Sequence, residues 1–246
     1  MNKIKSFLKD WHLNDRQLCD LELIMNGAFN PINDFMCEKD YLKVIENMTI
    51  QNGTLWPVPI VLDVNREFVD SIRIDETIGL RDKEGFLLAT FKIKEIWEPD
   101  LNKEAELVYG TRDTTHAGVD YLLNIVNPFY LAGVLKKINS PQHYDYLEYR
   151  HSPKQMKRIF KDRELGKVVA FQTRNPLHKA HVEMTKIAMK NHNLKLLIHP
   201  VVGLTKPGDV NHYTRVRCYE HVIKEYPKYS TILSLLPLAM RMAGPR

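Results

Sequence analysis

The hydrophobic pattern of the last third of the chain alternates between short apolar runs and longer amphipathic stretches. The apolar runs indicate strands and the amphipathic stretches indicate helices: strands at 167–172, 194–202 and 231–238, helices at 177–191 and 212–226. Continuous apolar runs are typical of buried strands in parallel sheets, so we expect the first strand to be buried. The order of elements predicts a right-handed βαβαβ unit, which is half of a mononucleotide-binding fold.

The first fifty residues have a helical period. Asn14 and Gln17 form the pattern of a capping box, and apolar residues follow them at helical spacing. Gly27 is predicted to end this helix in the left-handed conformation. A second, shorter helix is predicted within residues 35–50.

Between these helices and the last third of the chain, the pattern favours β-structure. Strands are predicted at 56–64, 72–74, 77–80 and 86–97, and another strand after the turn at 127–133. Pro57 and Pro59 confine the first of these strands to a sheet edge or to irregular pairing. Short strands with frequent turns predict a small barrel or sandwich.

A charged helix is predicted from Ser152 and Pro153 to about residue 164, where the β-rich part gives way to the α/β part. We therefore predict two domains, residues 1–160 and 161–246. The polar stretch 111–118 is interpreted as an interdomain loop. A second anion site, with Arg112 and His116 as ligands, is the alternative.

Composition narrows the class of protein. The formal net charge of the 246 residues is +5, and no block of five or six like charges occurs, so nucleic acid is not expected as a partner. Three cysteines without a C-x-x-C pair predict neither a disulfide framework nor a zinc ribbon, and they suit a reducing cytoplasm. The sequence shows neither a signal peptide nor an apolar run long enough to span a membrane.

The candidate chemistry lies in the turn between the strand at 167–172 and the helix at 177–191. Arg174 offers a planar donor fork for an anion, and the helix N-terminus that follows Pro176 favours phosphate. His178 and His181 are three residues apart and share one face of the first helical turn. The pair alone is a weak signal, because many such pairs are surface histidines. Its spacing does not match the H-E-x-x-H zinc pattern.

A second polar loop follows the second predicted strand, and a parallel sheet would place it beside the first loop. Lys206 is a candidate phosphate ligand and Asp209 a candidate magnesium ligand, although Pro207 and Gly208 also suit a plain tight turn. Arg215 and Arg217 of the next helix point apart, so we expect at most one of them to face this site.

The string Gln172-Thr-Arg-Asn-Pro-Leu-His-Lys-Ala-His181 closely resembles the active-site signature of the ATP sulfurylase (sulfate adenylyltransferase) family. The resemblance extends over most of the chain through four further segments: residues 16–22, 55–60, 201–209 and 240–246. It implies an α/β protein with a β-rich, PUA-like N-terminal domain, followed by a Rossmann-like nucleotidyltransferase sheet. It also places the terminal segment 240–246 around the active site.

The resemblance implies the reaction of ATP with sulfate to give adenosine 5′-phosphosulfate and pyrophosphate. Sulfate would be held by Gln172 and Arg174, and phosphoryl oxygens at the transition state by Thr173, Arg174 and Asn175. ATP would contact a larger set: Arg174, Asn175, Pro176, Leu177, His178, His181 and Lys206. Magnesium is expected to accompany ATP, and no tightly bound protein metal is expected.

The family usually continues with a Gly-Arg-Asp-His-Ala-Gly loop that helps to hold ATP, and the present sequence contains neither this loop nor a P-loop. We therefore expect an N-terminal portion of the family's chain, truncated within the nucleotidyltransferase sheet. Two alternatives stay open: another adenylyltransferase of the same superfamily, and a non-catalytic remnant that binds RNA or a protein. A homo-oligomer is also left open.

Overall fold

A computed structural model describes residues 8–243, apart from the side chain of His192. The chain divides into two compact units. The first contains the described residues up to Pro141 together with 241–243, and the second spans Gln142–Met240. The domain limits that the sequence suggested, 1–160 and 161–246, remain a prediction.

The first unit is built on one five-stranded mixed sheet with the strand order β1-β3-β4-β5-β2. The strands are β1 Asp10–His12, β2 Leu62–Val64, β3 Thr77–Arg81, β4 Leu87–Trp97 and β5 Phe129–Lys137. β1 runs parallel to β3, and the other pairs are antiparallel. The predicted β-rich character is confirmed. Among the described residues the strands form a single open sheet in place of two packed layers.

Among the described residues of this unit, five helices accompany the sheet: α1 Asp15–Met25, α2 Glu38–Asn47, α3 Arg66–Ser71, α4 Leu101–Tyr109 and α5 Ala117–Asn124. The capping box of α1 is confirmed, because the Asn14 side chain accepts from the Gln17 N–H and the Gln17 side chain accepts from the Asn14 N–H. Gly27 has a φ of +80°, in the left-handed region predicted for it. The sequence reading missed α3, α4 and α5.

One local prediction in this unit is confirmed in part, and two are wrong. The strand predicted at 56–64 exists only over Leu62–Val64, since Pro57 and Pro59 lack the N–H groups that pairing needs, and it lies at a sheet edge as predicted. Residues 72–74 follow the end of α3 and turn towards Asp75 instead of forming a strand. The stretch 111–118 joins α4 to α5 inside the first unit, so it is not an interdomain loop.

The second unit contains the predicted alternation of helices and strands. Its elements are α6 Pro153–Asp162, β6 Val168–Thr173, α7 Lys179–His192, β7 Lys195–Pro200, α8 His212–Val222 and β8 Thr231–Leu233. The three strands form a parallel sheet in the order β6-β7-β8, as predicted. A short 3-10 helix, Ile223–Glu225, continues α8.

The burial of β6 and the end of β8, the two edge strands of this sheet, differ from the predictions made from the sequence. β6 was expected to be buried, yet Ala170 and Gln172 are exposed and the other β6 residues are half-buried, because in the described chain β6 pairs with β7 alone. β8 ends at Leu233, earlier than predicted, and only an isolated bridge between Val201 and Leu236 extends the pairing.

The core of the second unit explains where its loops lie. Leu196 and Ile198 of the central strand β7 are fully buried and cluster with Val216 and Tyr219 of α8. Because all three strands are parallel, the loops after β6 and β7 leave the sheet at the same edge. Within residues 8–243 the longest helix has 14 residues, and none is long and apolar enough to cross a bilayer.

Candidate functional site

The turn after β6 is braced by its own threonine. The Thr173 hydroxyl accepts from the Asn175 N–H at 3.0 Å and donates to the Asn175 carbonyl at 3.1 Å. These two bonds close a compact turn that sends the chain from the strand towards α7. Leu177 is buried in the core of the second unit, which anchors the far end of the turn. Gln172, Thr173, Arg174 and Asn175 are thus displayed from a folded turn.

Arg174 is paired with an acidic residue of the neighbouring loop. Its Nη1 lies 2.6 Å from both carboxylate oxygens of Asp209, and the two side chains are 23% and 11% exposed. The predicted neighbourhood of the two loops is therefore confirmed. The guanidinium is a group that binds anions well, and here a carboxylate of the same chain occupies it.

The loop after β7 is shaped by the same aspartate. Asp209 Oδ2 also accepts from the Lys206 main-chain N–H at 3.1 Å, and Gly208 has a φ of +87° that completes the turn. The Lys206 side chain is exposed. Since the Asp209 carboxylate is engaged by Arg174 and this amide, its donor atoms do not form the open oxygen set that magnesium takes.

The two histidines lie at the start of α7. The helix begins at Lys179, two residues later than predicted, because His178 has the extended conformation of an N-cap residue. The two imidazole rings are 5.2 Å apart, so they share one face as predicted. His181 Nδ1 accepts from the His178 N–H at 3.2 Å. A nitrogen that accepts carries no proton, so the His181 proton is on Nε2 and is available to donate.

Gln172 is exposed at the end of β6 and pairs in register with His199 of β7. Burial, together with the nearby charge of His151, holds the pKa of His199 below its usual value. The imidazole beside Gln172 is therefore neutral at physiological pH.

Two residues of α8, Arg215 and Tyr219, support the turn. The sequence analysis expected at most one of Arg215 and Arg217 to face the site, and it gave Tyr219 no role. Arg215 is buried and donates to the carbonyl oxygens of Arg174, Val201 and Val210. The Tyr219 hydroxyl donates to the Asn175 carbonyl at 2.7 Å. Arg215 and Tyr219 are four residues apart on one helix face, which is the spacing that could have identified them. Arg217, as expected for the opposite orientation, is exposed.

Among residues 8–243, no cluster of three or more histidine, cysteine or acidic side chains has the arrangement of a metal site. None of the three cysteines, which all lie among the described residues, forms a disulfide. Of the terminal segment 240–246, Arg241 pairs with Asp20 in the first unit, and residues 244–246, including Arg246, lie outside the described residues. The expected place of this segment around the site stays a prediction.

Two known families match the chain: the PUA-like domain over residues 1–140 and ATP-sulfurylase over residues 147–246. The sulfate adenylyltransferase of Schizosaccharomyces pombe is 48% identical over 236 residues, which are 95% of this chain and 48% of that protein. The Saccharomyces cerevisiae enzyme of the same name is 47% identical over 236 residues, which are 96% of this chain and 46% of the relative. The chain thus spans about half the length of the curated relatives that it matches.

A solved structure is also similar. It is described as a hexameric APS kinase from Thiobacillus denitrificans and superposes with a TM-score of 0.79 at 26% sequence identity. The likeness covers 96% of this chain and 43% of the other. The arrangement of sheets and helices described above is therefore shared with a protein of known structure.

Proposed function

We propose that this chain, which belongs to the ATP sulfurylase family, supplies the substrate-binding turn of a sulfate adenylyltransferase. The observation that carries this proposal is the ion pair between Arg174 and Asp209 at the carboxyl edge of the parallel sheet. A guanidinium held at that edge and neutralised by an exchangeable carboxylate is suited to receive a tetrahedral anion. The names of the relatives supply the substrate class, which is sulfate and an adenylyl donor.

In the proposed reaction, one sulfate oxygen attacks the α-phosphorus of ATP in line. The bond between the α-phosphorus and the bridging oxygen breaks, and pyrophosphate leaves. Sulfate carries no proton that must be removed, so no general base is needed. The protein has to bring two anions together and to stabilise charge on the phosphoryl oxygens, and positioning and electrostatics supply both.

The side chains of the turn would divide this work. Gln172 and Arg174 would hold sulfate, and Arg174 would exchange Asp209 for the incoming anion. Thr173 and Asn175 would bind phosphoryl oxygens at the transition state, with the Thr173 hydroxyl leaving its bond to the Asn175 carbonyl. This assignment is supported by the fact that all four residues belong to a turn that is held by internal hydrogen bonds.

The nucleotide would be held by the start of α7 and by the loop after β7. His181 would donate to the triphosphate through Nε2, with His178 beside it, and Lys206 would reach the phosphates from its exposed position. Pro176 and Leu177 would line the path of the nucleotide. Mg²⁺ would arrive with ATP and screen its β- and γ-phosphates. We place this reaction in the cytoplasm, where ATP is found and where a reducing milieu suits three cysteines that form no disulfide.

The first test is sulfate-dependent exchange of labelled pyrophosphate into ATP with Mg²⁺. It compares the 246-residue chain with a form extended through its natural reading frame. We expect exchange in the extended form. Arg174→Ala should lower its rate by about a hundredfold to a thousandfold, as loss of a transition-state donor does. Arg158→Ala, an exposed arginine of α6 that pairs with Asp162, is the matched control and should keep the rate. An unchanged rate in Arg174→Ala would refute the proposal.

A further inference from the structure

We propose that Arg215 and Tyr219 of α8 are positioning residues that hold the main chain of the substrate-binding turn at Arg174 and Asn175. This inference rests on the proposed function, because it assigns the two residues to the same turn. Neither would touch a substrate. Each would act through the carbonyl group of a residue that does.

Arg215 joins three segments of the chain with one planar group. Its Nη1 donates to the Arg174 carbonyl at 2.9 Å and to the Val201 carbonyl at 2.6 Å, and its Nε donates to the Val210 carbonyl at 2.8 Å. The turn after β6, the chain leaving β7 and the approach to α8 are therefore fixed to one rigid fork. The side chain is only 2% exposed.

The use of an arginine here is informative. Burying a cation is costly unless strong partners compensate it, and the partners of Arg215 that the structure describes are uncharged: three carbonyl oxygens and the Tyr219 hydroxyl. An apolar side chain would pack against this segment without the desolvation free energy that a buried cation costs. We infer that the buried Arg215 guanidinium fixes the direction of the Arg174 carbonyl. The orientation of this peptide plane in turn sets the direction of the Arg174 side chain.

Tyr219 fixes the next peptide group. Its ring is fully buried beside β7, and its hydroxyl donates to the Asn175 carbonyl at 2.7 Å. Burial raises the pKa of Tyr219 to about 12, so the hydroxyl keeps its proton at every working pH. Consecutive carbonyls, at Arg174 and Asn175, are thus held by two residues one helical turn apart. The turn is bound to α8 before any substrate arrives.

The chain offers a matched pair of variants to test this. Tyr219→Phe removes the hydroxyl that holds the turn. Tyr226→Phe removes a hydroxyl that bonds the Thr185 side chain at the same distance of 2.7 Å and has no bond to the turn. Both variants lose one buried hydrogen bond, so their losses of thermal stability should be similar. Only Tyr219→Phe should remove the bond between α8 and the Asn175 carbonyl, which would keep its bond from the Thr173 hydroxyl.

The measurements are melting temperature, amide hydrogen exchange at residues 173–177, and steady-state kinetics of the form extended through its natural reading frame. In Tyr219→Phe we expect faster exchange across the turn, a higher KM for sulfate, and a fall in kcat/KM of about tenfold or more, because misplaced binding groups lose catalytic power. Tyr226→Phe should leave the amide exchange, the KM for sulfate and kcat/KM unchanged. Equal kinetics and equal exchange in the two variants would overturn the inference.

Hydrogen exchange separates this inference from the proposed function. If the unaltered protein catalyses no sulfate-dependent exchange of pyrophosphate into ATP, the proposed function fails. Amide hydrogen exchange at residues 173–177 still decides whether Tyr219 holds the turn. Arg215→Lys is the companion variant, since it keeps the charge and loses the fork. It should also speed amide exchange at 173–177, and an unchanged rate there in a folded Arg215→Lys protein would remove Arg215 from the proposal.

Discussion

At the scale of single residues, the carboxylate of Asp209 occupies the position on the Arg174 guanidinium that a substrate anion would take. Both carboxylate oxygens lie 2.6 Å from the same guanidinium nitrogen, and the pair is largely shielded from solvent. An incoming sulfate or phosphate must compete with this carboxylate for Arg174. Asp209 would thus lower the affinity for the anion while holding the Arg174 side chain in place.

Asp209→Asn tests this competition. The amide keeps an oxygen for the Lys206 N–H and removes the charge, so we expect sulfate to bind about fivefold more tightly, a gain of about 1 kcal/mol. Isothermal titration with sulfate at constant ionic strength measures the change. Asp162→Asn removes the same charge from an exposed pair with Arg158 and should have little effect. Weaker sulfate binding in Asp209→Asn would show that Asp209 supports the anion instead of competing with it.

At the scale of elements, α4 is fastened to its neighbours through a buried carboxyl group. Glu104 Oε2 accepts from the hydroxyls of Tyr41 in α2 and Tyr130 in β5, both at 3.0 Å. Burial raises the pKa of Glu104 to about 7, although the two tyrosines, Arg16 and Arg241 act in the opposite direction. At neutral pH this helix therefore keeps a carboxyl group that is partly protonated.

This pKa has a consequence for stability against pH. The unfolded chain releases the Glu104 proton near pH 4.5, whereas the folded chain keeps it up to about pH 7. The unfolded state binds fewer protons in that window, so the stabilising contribution is present below pH 4.5 and is lost as pH rises through 7. The loss should amount to about 3 kcal/mol.

Glu104→Gln should remove this dependence, because the amide does not titrate and still accepts from both tyrosines. Urea unfolding at several pH values, followed by tryptophan fluorescence, measures it, since Trp11, Trp56 and Trp97 all lie in the first unit. Glu106→Gln on the same helix, an exposed partner of Arg112, should retain the wild-type slope. If Glu104→Gln shows the same slope as the wild type between pH 4.5 and 7, Glu104 is not the titrating group.

At the scale of the whole molecule, distant parts of the first unit meet in a buried ion network. Arg16 of α1 pairs with Asp20 on the same helix and with Asp63 of β2, and Arg241 returns to Asp20 across a separation of 221 residues. Burial works against each charge. Arg16 and hydrogen bonds from Asn127 and Gln17 nevertheless hold the pKa of Asp63 below its usual value. Ion pairs therefore join distant segments of the first unit, in addition to its apolar core.

Asp63→Ala should destabilise this unit strongly, by about 3–5 kcal/mol, because Arg16 and Arg241 would then share the carboxylate of Asp20 and the buried network would gain a net positive charge. Asp75→Asn removes the charge of a surface carboxylate that pairs with Lys94 and should cost at most about 1 kcal/mol, since asparagine tolerates the positive φ of this position. Chemical unfolding followed by tryptophan fluorescence compares the two variants. Similar losses in both would mean that the network adds no more than a surface pair.

Local patterns in the sequence were sufficient for the elements whose signals are local. The capping box at Asn14 and the N-cap at Ser152 depend on neighbouring residues, and both are present in the fold. The alternation of apolar runs and amphipathic stretches predicted the parallel order β6-β7-β8, because such strands need helical crossovers. The short helices α3 to α5 escaped prediction, since six to nine residues give too few turns to show a period.

The sequence by itself determined the family, the parallel sheet and the turn that carries Arg174, because each is encoded by neighbouring residues. Only the tertiary structure decided what those side chains do in the folded chain. Asp209 pairs with Arg174 across 35 residues, and Arg215 and Tyr219 hold the turn from more than 40 residues away. Glu104 reaches Tyr41 over 63 residues. Such contacts depend on packing between elements. Neither hydrophobic periodicity nor residue spacing along the chain predicts which distant residue a buried polar group will contact.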